Sequence, residues 1–247
     1  MREQAEQNKK AWEYRAYEAR SIGETIQEQA KEILENPKAR LRYHAKYFDN
    51  IAGKRIANVC GSDGRRTIPF AVLGAEATLF DISEPQIKYA LELAEAVGVK
   101  LEYVLGDFIE TDIIKYGNTF DFLYMEGGIL HYFSDLDVFT KTLYAITKHN
   151  GRLILCDAHP YRKLDNSGIT DGDYFDTRLH EVGAPLRGVF PEEEQEAFPK
   201  ILTRLYNISE IINSVISAGF TLKEFIEHPH YKDPKRPMEF TIIADKA

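Results

Sequence analysis

Between residues 54 and 160 the chain alternates between two hydrophobic periods, and this constrains its fold more than any other feature. RIANVC reads as a buried strand, RRTIPFAVLGA as a helix ending at Gly74, and ATLFDIS as a second strand. EPQIKYALELAEAVGV carries Ile87, Ala90, Leu91 and Ala94 on one helical face and stops at Gly98. KLEYVLGDF and FDFLYMEGGIL read as strands. SDLDVFTKTLYAITKHNG reads as a helix with Ser134 as N-cap and Asn150-Gly151 at its end, and RLILCDAHP as a fifth strand. Strands separated by helices in this way predict a parallel sheet covered on both faces.

The flanks differ. Residues 1–50 read as helices, the third of them spanning PKARLRYHAKYFDNI, with proline in its first turn. A section rich in Gly, Pro and charge, about 160–200, shows little periodicity, as functional lids often do. NISEIINSVISAGF predicts one more helix. TLKEFIEH and MEFTIIADK predict two final strands, and the short loop between them makes the pair antiparallel. The expected fold is α/β: a seven-stranded, mostly parallel sheet with an antiparallel last strand, helices on both faces, and an N-terminal helical extension. The expected division is a cap at 1–50 and a main domain at 51–247, with a lid-like insertion at about 160–205.

Composition narrows the function. A net charge of -8 argues against general nucleic-acid binding. Two cysteines, Cys60 and Cys156, make neither a disulfide framework nor a four-cysteine zinc site. His228 and His230 lack a third ligand nearby, so no metal is expected. Neither a signal-peptide core nor a run of membrane-spanning length stands out. The expectation is a cytoplasmic protein without membrane or nucleic-acid partners.

The stretch NVCGSDG, residues 58–64, sits at the carboxyl end of the first strand, where open parallel sheets bind ligands. Seventeen residues after Gly64 comes Asp81, at the end of the second strand and followed by Ile82, placed to accept hydrogen bonds from ribose hydroxyls. The third strand ends in Gly106-Asp107-Phe108, an acid and an aromatic suited to the edge and face of adenine. Three consecutive strand ends therefore suit an adenosine-containing cofactor. No GK[ST] follows the loop, which disfavours a P-loop. Ser62 stands where a dinucleotide fingerprint has its second glycine, and Asp63 would repel a pyrophosphate.

These residues resemble the class I S-adenosylmethionine-dependent methyltransferases. The family's first motif, D-x-G-x-G-x-G, is read here as Asn58-Val59-Cys60-Gly61-Ser62-Asp63-Gly64. Asn58 replaces the acid, Cys60 and Ser62 replace the first two glycines, and Gly64 is kept. Asp81 matches the family's ribose acid and Asp107 the acid near adenine. Met125 to Tyr132, with Glu126 and Gly127, resembles the motif beside the methionyl part of the cofactor. KHNGRLILCDAHP resembles the hairpin into the fifth strand, and the final antiparallel pair matches the family's last two strands. The resemblance implies a Rossmann-like fold, S-adenosylmethionine as cofactor, and methyl transfer to oxygen or nitrogen of a small metabolite. It implies cofactor contacts from Cys60, Gly61, Ser62, Gly64, Asp81, Ile82, Gly106, Asp107, Phe108, Glu126 and Gly127.

A hydroxyl acceptor would call for a base, usually histidine. His131 and His159, just after the fourth and fifth strands, are the candidates, with Asp157 placed to orient one. The alternatives are that His131 stacks in the cleft or contacts substrate and that His159-Pro160 is a structural turn. Asp81 and Asp107 have an alternative as helix caps. Trp12, Tyr14 and Tyr17 read either as a buried helix face or as a lid over the cofactor, with Arg15 then near its carboxylate. Tyr174, Phe175, Arg178, His180 and Arg187 are expected to cover the cleft; the alternative is a surface excursion or a homodimer contact. Two other readings stay open: a nicotinamide-dependent oxidoreductase, and a non-catalytic S-adenosylmethionine-binding protein.

Overall fold

The computed structural model describes residues 2–164 and 169–247. Its strands are β1 (Arg55–Val59), β2 (Glu76–Asp81), β3 (Glu102–Leu105), β4 (Phe120–Glu126), β5 (Thr147–Ala158), β6 (Leu179–Gly183), β7 (Lys200–Arg204), β8 (Thr221–Pro229) and β9 (Pro237–Asp245). Its α-helices are α1 (Arg2–Glu13), α2 (Ala16–Ser21), α3 (Ile26–Glu35), α4 (Ile68–Val72), α5 (Glu84–Val97), α6 (Ile113–Tyr116), α7 (Leu136–Ile146), α8 (Glu192–Gln195) and α9 (Ile208–Ser217).

Seven strands form one sheet in the order β3-β2-β1-β4-β5-β9-β8. The contacts from β3 through β5 are parallel, whereas β9 runs antiparallel to both of its neighbours. The expected α/β architecture with its antiparallel final pair is therefore present. Burial on both sheet faces explains the continuous apolar runs of the parallel strands. Leu123 and Met125 face the core under α7 and α9, while Tyr124 between them faces the opposite core with Phe48 and Phe70. Leu153, Ile154 and Leu155 divide in the same way, as the two-residue strand period requires.

Several boundaries depart from the sequence reading. Asp135, not Ser134, caps α7, its carboxylate accepting from the amides of Asp137 and Val138. That helix ends at Ile146, and Lys148 to Gly151 already belong to β5. The third N-terminal segment is no α-helix. It is a 3-10 stretch, Ala39–Tyr47, broken at Arg42 by φ 49° and ψ -132°.

The segment expected as a lid at 160–205 includes residues 165–168, which lie outside the described residues. Its described part carries a small antiparallel sheet, β6 with β7. Their short length and the intervening polar residues hid these strands from a periodicity argument. Ala184, Leu186, Phe190, Phe198 and Ile201 of this segment pack against Ala11, Ala16 and Ala19 of α1 and α2. Asn8 closes the join: its Oδ1 accepts from the Leu202 amide at 2.7 Å and its Nδ2 donates to the Leu202 carbonyl at 3.0 Å. Among the described residues, no helix is long and apolar enough to cross a membrane.

Candidate active site

A cavity of about 480 Å³ opens at the carboxyl ends of β1 to β4, within the size range of small-molecule sites. Its walls include Cys60 to Asp63, Asp81, Ile82, Gly106 to Ile109 and Glu126 to Ile129. Gln4, Ala5, Asn8 and Trp12 of α1, Arg20 of α2, and Ala39, Arg40 and Arg42 of the 3-10 stretch close it from the other side.

The loop after β1 explains its own composition. Cys60 and Ser62, at positions where the family pattern has glycine, both adopt φ 53°. The left-handed backbone is kept although glycine is not, at a steric cost that only a well-packed surrounding sustains. Gly61 is required for another reason. A Cβ there would lie 2.6 Å from Asn58 Oδ1 and 2.9 Å from Leu79 Cγ. Asn58 fills that space because its amide ties β1 to its surroundings, donating to the Tyr124 carbonyl at 3.0 Å and accepting from Thr67 Oγ1 at 2.7 Å. Gly64 is absent from the cavity wall: at φ 76° it packs toward Ala90, Leu79 and Ile68.

Asp81 fastens this loop to β2. Its Oδ2 accepts from the Ser62 amide at 2.9 Å and its Oδ1 from the Ser83 amide at 3.0 Å. Burial pushes its pKa up to about 6, against the lowering effect of those amides. Asp107 caps the turn that follows β3, accepting from the Ile109 amide at 3.2 Å, and burial raises its pKa as well. Phe108 lines the cavity from one side and packs edge-on against Phe80 and Phe139 on the other. A side chain at Gly106 would meet no atom within 4 Å, and one at Gly127 only Arg66 Nη1 at 3.9 Å. The bare backbone leaves that room to the cavity.

Glu126 is occupied by protein groups. Its side chain is fully buried and pairs with Arg42 at 2.9 Å and Arg66 at 3.2 Å, and it accepts from the Tyr124 hydroxyl. Burial alone would raise its pKa, but His44, Arg66, Tyr124 and Arg42 bring it down to about 2. This carboxylate therefore holds two guanidinium groups in the cavity wall.

Other sequence candidates lie elsewhere. Tyr14 packs edge-on against Phe198, and Tyr17 packs against Tyr89 and donates to Glu92, so neither lines the cavity. The helix breaks between them and Trp12, α1 ending at Glu13 and α2 starting after a left-handed Arg15 at φ 51°, which redirects both rings; Trp12 stands edge-on to Tyr132, which also lines the cavity. Arg15 is held by Glu18 and Glu194 over the Phe190 ring. His159 caps a short turn, with Nδ1 accepting from the Tyr161 amide at 3.0 Å and Nε2 placed 2.9 Å from Glu227. His131 lies outside the main cavity, in a small cleft with Asp157 and Arg162, and burial lowers its pKa to about 3. Asp157 orients no base: its Oδ2 accepts from the amides of Ile129 and Leu130 at 2.7 and 2.8 Å, which fixes the loop after β4. Among the described residues of 160–205 none lines the cavity; Ala184, Leu186, Phe190, Phe198 and Ile201 brace α1 and α2 instead.

The sequence reading missed Arg20, Arg40, Arg42, Arg65 and Arg66, all of which line the cavity. Arg65 and Arg66 directly follow Gly64, so their nearness to the loop was available. Arg42 gave no signal, because its position depends on the break in the 3-10 stretch.

Comparison with known proteins bears on this arrangement. Residues 56–151 match the family model described as a methyltransferase domain. An uncharacterized methyltransferase of Bacillus subtilis, YbaJ, is 24% identical over 193 residues, 73% of this chain and 71% of the relative. The magnesium protoporphyrin IX methyltransferase of Synechocystis, solved with bound S-adenosylhomocysteine, superposes with a TM-score of 0.63 at 15% identity, covering 99% of this chain and 100% of that one. The 1,6-didemethyltoxoflavin-N1-methyltransferase of Burkholderia thailandensis, solved with bound 1,6-didemethyltoxoflavin and S-adenosylhomocysteine, gives 0.59 at 18% identity, covering 100% of this chain and 90% of that one.

Proposed function

We propose that this chain, a class I S-adenosylmethionine-dependent methyltransferase by its matched domain and its fold, methylates oxygen or nitrogen of a small metabolite. The observation that carries the reading is the coupling of three strand ends around one cavity, in which Asp81 binds the loop of β1 to β2 while Asp107 follows β3. Asp81 would hold the ribose, Asp107 and Phe108 the adenine, and Gly61, Ser62 and Gly127 the aminoacyl part. The residues fit the group: the loop keeps its left-handed backbone, and Gly106 and Gly127 leave unfilled space beside it.

When bound, S-adenosylmethionine supplies an activated methyl group on a sulfonium. The protein's own share is alignment and exclusion of water. Trp12 and Tyr132 form an aromatic wall, and α1 closes the cavity through Gln4, Ala5 and Asn8. Docking of α1 on β7 holds that wall in place. His131 and His159 are not assigned a proton-transfer role, so the acceptor is one whose nucleophile needs no strong base from the protein.

A nicotinamide-dependent oxidoreductase is the competing reading. Against it, Ser62 stands where a dinucleotide loop needs its second glycine, and the last two strands run antiparallel. Calorimetry with S-adenosylmethionine, S-adenosylhomocysteine and NADH separates the two. Micromolar binding of both sulfur ligands, with none of NADH, supports the methyltransferase; NADH binding alone would overturn it. Binding with no turnover on any acceptor would instead favour a non-catalytic role.

A further inference from the structure

The cavity wall is unequally charged along its length. Asp81 and Asp107 stand at the ends of β2 and β3, whereas Arg42 and Arg66 converge on Glu126 at the end of β4. With β2 and β1 lying between β3 and β4, the two ends are separated by three strand spacings, about 14 Å. Five arginines line the cavity: Arg20, Arg40, Arg42, Arg65 and Arg66. Arg20 and Arg65 share one acid, Asp63, at 3.0 and 2.8 Å. The partners of Arg40 (Glu24 and Glu32) and the second partner of Arg42 (Glu239) are not part of the wall. At the β4 end two guanidinium groups, Arg42 and Arg66, thus meet one wall carboxylate, Glu126, and Glu239 behind the wall takes Arg42 as well, which leaves Arg66 as the group with donors to spare.

Arg66 is the clearest case. Its Nε faces Glu126 at 3.2 Å, and among the described residues no protein acceptor takes its two terminal nitrogens. Nη1 points over the bare Cα of Gly127, 3.9 Å from where a Cβ would stand. Arg42 is brought there by a backbone conformation that side chains rarely adopt, φ 49° with ψ -132°. A planar guanidinium with two free donors is matched to a carboxylate or phosphate. A single cofactor carboxylate does not use this many donors, and Arg20, on the Ser62 hydroxyl at 2.8 Å, is already beside the loop assigned to the aminoacyl part.

We propose that the methyl acceptor is an anionic small molecule whose carboxylate or phosphate docks on the Arg42 and Arg66 pair held by Glu126. This rests on the methyltransferase reading and names its substrate class. The anion fixes one end of the acceptor, leaving its nucleophilic atom to be aligned by the aromatic wall of Trp12 and Tyr132.

The test saturates the protein with S-adenosylhomocysteine and then titrates benzoate, its uncharged counterpart benzamide, and inorganic phosphate by calorimetry. Wild type is compared with Arg66→Gln and Arg66→Lys. Because Arg66 is partly exposed, neither change should unfold the chain, and a thermal melt checks this. The expected result is that benzoate or phosphate binds alongside S-adenosylhomocysteine at least about tenfold more tightly than benzamide, that Arg66→Gln removes this preference, and that Arg66→Lys keeps part of it. Equal binding of benzoate and benzamide with no phosphate binding, or anion binding indifferent to Arg66→Gln, would overturn the proposal. So would displacement of S-adenosylhomocysteine by the anions together with its weaker binding to Arg66→Gln, since the guanidinium would then serve the cofactor's carboxylate. Failure of S-adenosylhomocysteine to bind at all would sink the methyltransferase reading instead, and the same titration on the free protein would still read the anion site.

Discussion

The two ends of the cavity are held together by different means. At the β1 to β3 end, short loops following consecutive strands are joined by backbone amides donating to carboxylates: Ser62 and Ser83 to Asp81, and Ile109 to Asp107. At the β4 end, side chains from distant parts of the chain meet. Arg42 reaches Glu126 and Glu239, and α1 is tied to β7 across nearly the whole sequence. Amide donors are supplied by any residue type, so the first end tolerates the loss of two glycines from its loop. The second depends on particular charged side chains and on one buried acid, and has less freedom to change.

The largest expected difference between the ends comes from removing that acid. Glu126→Ala leaves Arg42, Arg66 and the Tyr124 hydroxyl without their shared acceptor, and should cost about 3–5 kcal/mol in urea unfolding. Asp107→Asn at the other end should cost about 1 kcal/mol or less, the size of a cap. Similar costs for both would erase the contrast. The pH dependence follows from the lowered pKa of Glu126: its contribution is present above 4.5, the ordinary value, and is lost as pH falls toward about 2. Wild type should therefore lose stability over that acidic range more steeply than Glu126→Gln.

A smaller effect falls on cofactor affinity. Asp81→Ala should weaken S-adenosylhomocysteine by about 2–3 kcal/mol, or roughly 30- to 150-fold, because it removes both the assigned ribose acceptor and the tie to Ser62. The ligand favours the carboxylate, so wild-type affinity should be flat above pH about 6 and fall below it, while the variant shows no such bend. A bend retained in Asp81→Ala would assign the titration to another group.

The smallest effects test the loop itself. Cys60→Gly relieves a left-handed residue but adds chain entropy, and should shift stability by less than about 1 kcal/mol. Gly61→Ala, whose Cβ would press on Asn58, should cost about 1–3 kcal/mol. If Cys60→Gly were the more damaging change, the loop would not be held by its surroundings as described.

The same contrast explains what could be read from the sequence. The sheet, its antiparallel ending and the placing of Asp81 and Asp107 follow from periodicity and from residues close along the chain. The small β6 and β7 sheet did not, because five-residue strands amid polar turns give too short an alternation. Tyr14 and Tyr17 were drawn toward the cofactor by their nearness to Trp12, but the helix breaks at the left-handed Arg15 and sends them in other directions. His131 and His159 stood at the correct ends of their strands, yet position along a strand does not tell which cleft a side chain enters. Glu126 was legible as a residue of the site, but its pairing with Arg42 and Arg66 was not, since it joins residues 84 and 60 positions apart.

The most direct test of this division is a crystal structure of the complex with S-adenosylhomocysteine. The account predicts ribose on Asp81, adenine beside Asp107 and Phe108, the aminoacyl part near Gly61 and Ser62, and the terminal nitrogens of Arg66 left clear of the ligand. A ligand carboxylate seated on Arg42 and Arg66, or a ligand bound away from Asp81, would contradict it.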